Sequence, residues 1–177
     1  MSKSRIIAIA CASLLASPAC VVPQEPARAA ASATTPSTSG DLDFLVGSWD
    51  VVATSPSDGT SERIGYDVRP LTRASWLTGR GSSDTVDASD VWGRDPVTGE
   101  IMRIVFDGSG TYAVVRSPGW ADGQLVLEGD ARSAGGTVRV RETIRTVSEN
   151  EFSATWEAWR NGSWSAYSIE RASRRPG

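Results

Sequence analysis

Thr137-Val138-Arg139-Val140-Arg141-Glu142-Thr143-Ile144-Arg145-Thr146 and Glu151-Phe152-Ser153-Ala154-Thr155-Trp156-Glu157-Ala158-Trp159-Arg160 decide the fold. Val138, Val140, Glu142 and Ile144 share one face of the first stretch, opposite Arg139, Arg141, Thr143 and Arg145. In the second, Phe152, Ala154, Trp156 and Ala158 oppose Ser153, Thr155, Glu157 and Trp159. A period of two is the period of a strand, and one apolar face with one polar face marks a sheet wetted on one side. The same alternation sets Ile64, Tyr66 and Val68 against Arg63, Asp67 and Arg69.

Outward from this core the chain is punctuated by turn pairs: Asp58-Gly59, Thr98-Gly99, Asp107-Gly108, Asp122-Gly123, Gly135-Gly136 and Asn161-Gly162. Such pairs reach the positive φ that tight hairpins need. Ten strands are predicted between them, at 47–54, 60–69, 75–81, 86–93, 100–106, 111–117, 124–131, 137–146, 151–160 and 163–172. Either face of the strand at 111–117 could point inward. No helical periodicity is long enough for a substantial helix, apart from one turn at 41–46. Hairpin-length connections favour up-and-down order, and ten strands without cover for an edge favour closure. The expected fold is all-β: a single antiparallel up-and-down barrel of about ten strands over residues 41–177.

Composition narrows the chemistry. The 177 residues contain no histidine, and the two cysteines, Cys11 and Cys20, lie near the start. Histidine-dependent triads, histidine-ligated zinc and histidine-ligated haem are therefore excluded, as is any disulfide within the barrel. No cofactor or metal is expected. A net charge of −3 gives no footprint for nucleic acid.

Residues 1–19 read as a signal peptide: Lys3 and Arg5 precede an uncharged run at 6–16 that is too short to span a membrane. Leu15-Ala16-Ser17-Pro18-Ala19-Cys20 resembles a bacterial lipoprotein cleavage site, although Ser17 stands where that pattern has Leu or Val. Lipidation of Cys20 and ordinary cleavage, after Ala19 or within Ala27-Arg28-Ala29, both fit. Residues 20–40, with Pro23, Pro26 and Pro36 and no aromatic side chain, are expected to form a disordered linker. The expected location is the periplasm, or a membrane surface reached through the lipid anchor.

Phe44-Leu45-Val46-Gly47-Ser48-Trp49 resembles the opening of calycin barrels, the group that holds lipocalins, fatty-acid-binding proteins and nitrobindin-like domains. That resemblance implies that Gly47 and Trp49 close one barrel end, with Arg171 of the last strand packed across the indole. The domain is also similar to a bacterial lipocalin-like family with no assigned activity. The similarity rests on Phe44 to Asp50, Asp95-Pro96-Val97-Thr98-Gly99, and Trp156 through Asn161-Gly162-Ser163-Trp164. The wider group implies small-ligand binding. Nitrobindin-like relatives hold haem through a histidine, which this chain lacks.

Glu142 is the unusual residue, because it shares a face with Val138, Val140 and Ile144. A carboxylate there needs an arginine, with Arg80 and Arg116 the candidates, or a place at a wet mouth. Tyr66, Trp76, Trp92 and Trp156 either line a cavity or fill the core. The pairs Asp87/Asp90 and Glu149/Glu151 read as solvated surface. The function expected is an exported binder of a small amphipathic molecule in its lumen, with no catalysis. The alternative is an envelope interaction or inhibitor protein with a filled barrel, binding through its loops or its Arg139/Arg141/Arg145 face.

Overall fold

The computed structural model describes residues 40–71 and 76–176. The expected signal peptide, linker and Cys20, and the start of the strand expected at 75, lie outside the described residues. The strands are β1 (Gly47–Thr54), β2 (Ser61–Pro70), β3 (Leu77–Ser82), β4 (Asp87–Arg94), β5 (Ile101–Asp107) and β6 (Tyr112–Ser117). They continue as β7 (Trp120–Ala121), β8 (Gln124–Ser133), β9 (Gly136–Ser148), β10 (Glu151–Arg160) and β11 (Ser163–Arg174).

β1 through β6 form an antiparallel meander, as do β8 through β11; β1 pairs with β11 and β6 pairs with β8, so ten strands close into an up-and-down barrel. β7, two residues long, folds back on the start of β8 and was not foreseen. Asp122-Gly123 and Asn161-Gly162 turn the β7–β8 and β10–β11 hairpins with positive φ at both residues of each pair, the twist that matches the flanking strands.

Alternation sorts the side chains as expected along β2, β9 and β10. It also settles β6, where Ala113, Val115 and Ser117 are buried and Tyr112 and Arg116 are exposed. The core contains Val68, Trp92, Ile101, Leu125, Leu127, Val140, Ile144, Phe152 and Ala154 among others.

One end of the barrel is sealed. A 3-10 helix at Gly40–Leu45 buries Leu42 and Leu45. Phe44 packs edge-on against Trp120 and Phe152, and Trp49 stands edge-on to Phe152 with ring centroids 4.8 Å apart. The indole of Trp49 donates to the Leu45 carbonyl at 2.8 Å. The guanidinium across it belongs to Arg174, 4.1 Å from the ring centroid, and donates to the Val46 and Phe44 carbonyls at 2.8 Å each.

This corrects the expected Arg171. β11 runs on to Arg174, and its register pairs Arg174 with Trp49 but Arg171 with Val52. Arg171 has the parity of the outer face and is exposed, whereas Ala172 beside it is buried. Gly47 serves the same seal: its φ is +139°, and a Cβ there would overlap the Arg174 guanidinium.

Candidate functional site

The lumen holds a cavity of about 150 Å3. It extends from Leu45 at the sealed end to Val86, Asp107 and Thr111, which lie beside the hairpin loops of the opposite end. Tyr66, Trp92, Glu142 and Trp156 all line it. Arg103, on β5, an arginine that the sequence reading did not single out, lines it as well.

Arg103 points inward because Ile101, Arg103 and Val105 share the face that pairs with the buried Ser117, Val115 and Ala113 of β6. Its Nη2 and Nε donate to Asp90 Oδ2 at 2.5 and 3.1 Å. Its Nη1 donates to Glu142 Oε1. Tyr66 donates its hydroxyl proton to the same Asp90 oxygen at 2.9 Å, and the Trp92 indole N–H donates to that hydroxyl at 3.1 Å. The guanidinium lies 4.3 Å from the Trp92 ring centroid and 5.4 Å from that of Trp156. One cation therefore ties together β2, β4, β5, β9 and β10.

Room for this cluster comes from Gly79, where a Cβ would overlap Asp90 Oδ1 and the Tyr66 hydroxyl. A bulge between β10 and β11 adds to the wall. The register slips at Trp156/Glu157, leaving Tyr167 between the residues paired with them, and both Tyr167 and Ser168 line the cavity. Glu170 follows on the inward face and accepts from the Ser168 hydroxyl at 3.2 Å.

The electrostatics are lopsided. Among the described residues four carboxyl groups line the cavity, those of Asp90, Asp107, Glu142 and Glu170, against the single guanidinium of Arg103. Burial, opposed by Arg103 and reinforced by Glu170 and Asp90, pushes the Glu142 carboxyl up to about 7. Burial also raises Glu170 above the usual carboxylate range, against the pull of Arg103. Burial disfavours the charge on Arg103, but Glu142, Asp90 and Tyr66 outweigh it and hold the guanidinium protonated. Burial and the negative neighbours Glu170 and Glu142 likewise keep the Tyr167 phenol neutral. Asp90 Oδ1, Asp107 Oδ2 and Glu142 Oε2 are buried without a hydrogen-bond partner among the described residues.

Several expected site residues lie elsewhere. Arg80 has the outward parity of β3 and pairs at the surface with Asp87 at 2.8 Å. Arg116 is outward on β6 and pairs with Asp95 at 2.9 Å. Trp76 precedes β3 and packs its indole against Gly93, where a Cβ would overlap the ring; it is not part of the cavity wall. Asp90, expected at the surface, is 3% exposed.

The partner of Glu142 is thus Arg103, which comes from neither of the strands proposed for it. On the outer face, Arg139, Arg141 and Arg145 are engaged with Glu128, Glu157 and Gln124, so that face is not a free basic stripe. No three acidic side chains among the described residues converge closely enough to hold a metal ion. Comparison with known protein families and with curated proteins finds no match to this chain.

Proposed function

We propose that the protein is an exported, calycin-like binder that holds a small amphipathic molecule in its lumen. The observation that carries this reading is a cavity, built on a sealed barrel end, that combines aromatic walls with a buried charged cluster whose hydrogen bonding is incomplete. Buried polar atoms are ordinarily satisfied, and unpaired ones cost about 1–3 kcal/mol each. A ligand supplying donors would recover that cost. Size selects strongly: a cavity of about 150 Å3 suits a body of about benzene size and is smaller than the several hundred Å3 of drug-sized pockets. Tyr66, Phe152, Trp156 and Tyr167 would contribute contact area, and the Arg103–Glu142 pair would orient the polar end. Export and a lipid anchor at Cys20 belong to the same reading, because the signal-like start and a Pro-rich linker would hold the barrel at a membrane surface.

A panel of one-ring and short-chain amphiphiles, scored by intrinsic tryptophan fluorescence and melting temperature, tests the reading. At least one saturable ligand that raises the melting temperature is expected. A panel that moves neither signal, together with a crystal structure showing a solidly packed lumen, would sink the reading.

A further inference from the structure

Resting on the lumen-binding reading, we propose that the ligand's polar end is a small organic ammonium ion, received by Glu142 and Glu170 above the Arg103–Asp90 pair. Three observations converge. First, Arg103 is the only cationic side chain in the wall among the described residues, and Asp90 and Glu142 already engage it through Nε, Nη1 and Nη2. An incoming anion would have to compete with two carboxyl groups for that guanidinium. It would also face Glu170 and Asp107, which lie on the same wall.

Second, the unsatisfied atoms in the cavity wall are all of one kind. Asp90 Oδ1, Asp107 Oδ2 and Glu142 Oε2 are carboxyl oxygens, so with these groups ionised what the lumen lacks is donors. An ammonium group is donor-only, whereas a carboxylate ligand would add acceptors to a surplus of acceptors. Asp90 and Glu142 are 3% and 1% exposed, so bulk solvent does not screen them. Asp90 Oδ1 lies against Gly79, which leaves Glu142 Oε2 as the deep acceptor and Asp107 as the one nearer the loops.

Third, the walls suit a cation with an apolar body. The rings of Tyr66, Phe152 and Tyr167 stand around the same space, and aromatic faces attract ammonium ions as well as apolar surface. The volume limits the body to about one ring.

Protonation follows from the same geometry. The charged or titratable groups around Glu142 are Arg103 from β5, Asp90 from β4, Glu170 and Tyr167 from β11, and Tyr66 from β2. Arg103, Tyr66 and Tyr167 hold their protons throughout the neutral range. Glu142, at about 7, changes charge there, and burial raises the neighbouring Glu170 in the same direction. An ammonium ion favours its ionised form, so binding releases a proton and affinity climbs by about tenfold between pH 6 and pH 8.

The test is calorimetric titration of the purified protein with benzylamine, benzyl alcohol and benzoate, three probes of one size and three charges. The expected result is benzylamine binding at least tenfold tighter than the other two, with affinity rising from pH 6 to pH 8. Glu142→Gln, which keeps an acceptor for Arg103, should weaken benzylamine far more than benzyl alcohol, and so remove that preference and its pH dependence. Glu170→Gln should weaken benzylamine in the same sense and serves if the first variant does not fold. Equal binding of the three probes, or a preference for benzoate, overturns the ammonium assignment and leaves lumen binding standing. Heat-silent titrations with all three, and no change in tryptophan fluorescence, overturn both.

Discussion

At Glu142 the buried charge has a consequence that can be measured without a ligand. Burial, helped by Glu170 and Asp90 and opposed by Arg103, raises the carboxyl to about 7 from its ordinary 4.5. The folded state therefore holds this proton more tightly than the unfolded chain does. That contribution to stability is complete below the unfolded value and is lost as pH rises through the folded one, on the order of 3 kcal/mol for a shift of this size. Glu170, raised by burial, acts in the same direction. The urea midpoint should fall between pH 5 and pH 8, and Glu142→Gln should flatten the fall. A wild-type midpoint that is level or rising over that interval would show that Glu142 is already ionised at pH 5. Much of this residue's position was legible: its place among Val138, Val140 and Ile144 marks it as inward, and an arginine partner was one of the two settings that electrostatics left open, the other being a wet mouth. The identity of the arginine was hidden because Met102, Ile104 and Phe106 make the other face of β5 more apolar than the face that carries Arg103. Hydrophobicity alone turns that strand inside out.

Along the strands a period of two sorts most side chains correctly. Asp90, two residues before the inward Trp92 on the same strand, shares its face, so period two places Asp90 in the lumen rather than at the surface. The same rule takes Arg171 away from Trp49, because Ala172 is the inward residue beside it. The bulge that brings Tyr167 to the cavity left no such trace, since it depends on a register slip between two strands. At the sealed end, Trp49→Ala should cost about 3–5 kcal/mol, as large-to-small aromatic changes in cores do. Arg174→Ala should cost less, and the two losses should fall short of additive because guanidinium and indole stack. Arg171→Ala should change stability by less than about 0.5 kcal/mol. Additive losses for Trp49 and Arg174 in a double-mutant cycle would contradict the stack. The closing seam makes a separate demand. Gly129 of β8 faces β6 so closely that a Cβ would overlap the Val114 carbonyl. Gly129→Ala should lower the melting temperature sharply, with hydrogen-exchange protection lost first along β6 and β8. Wild-type stability in that variant would mean that the seam is looser than described.

At the scale of the molecule, the barrel was legible because each hairpin carries its own turn chemistry and each strand its own alternation, so local signals add up to the topology without long-range information. Closure of β6 on β8 and the sealing 3-10 helix follow from burying edges and an open end, and one turn of helix was expected there. What could not be read was the interior, because a lumen is assembled from strands distant in sequence and its volume depends on packing. Cys20 bears on where the barrel works. If it carries lipid, Cys20→Ala should shift the protein from the membrane fraction to the soluble fraction of its host. A wholly soluble wild-type protein that begins at Ala30 would contradict the anchor. The central claim is that the lumen, not the outer surface, is the binding site, and the seven tryptophans report on it directly. Trp92 and Trp156 line the cavity, whereas Trp159 and Trp164 form an edge-on pair at the β10–β11 turn and are not part of its wall. Indole N–H resonances of 15N-tryptophan-labelled protein, followed during titration with benzylamine or the best ligand of the amphiphile panel, should move at Trp92 and Trp156 and stay fixed at Trp159 and Trp164; shifts confined to Trp159 and Trp164 would place binding outside the barrel and contradict the account.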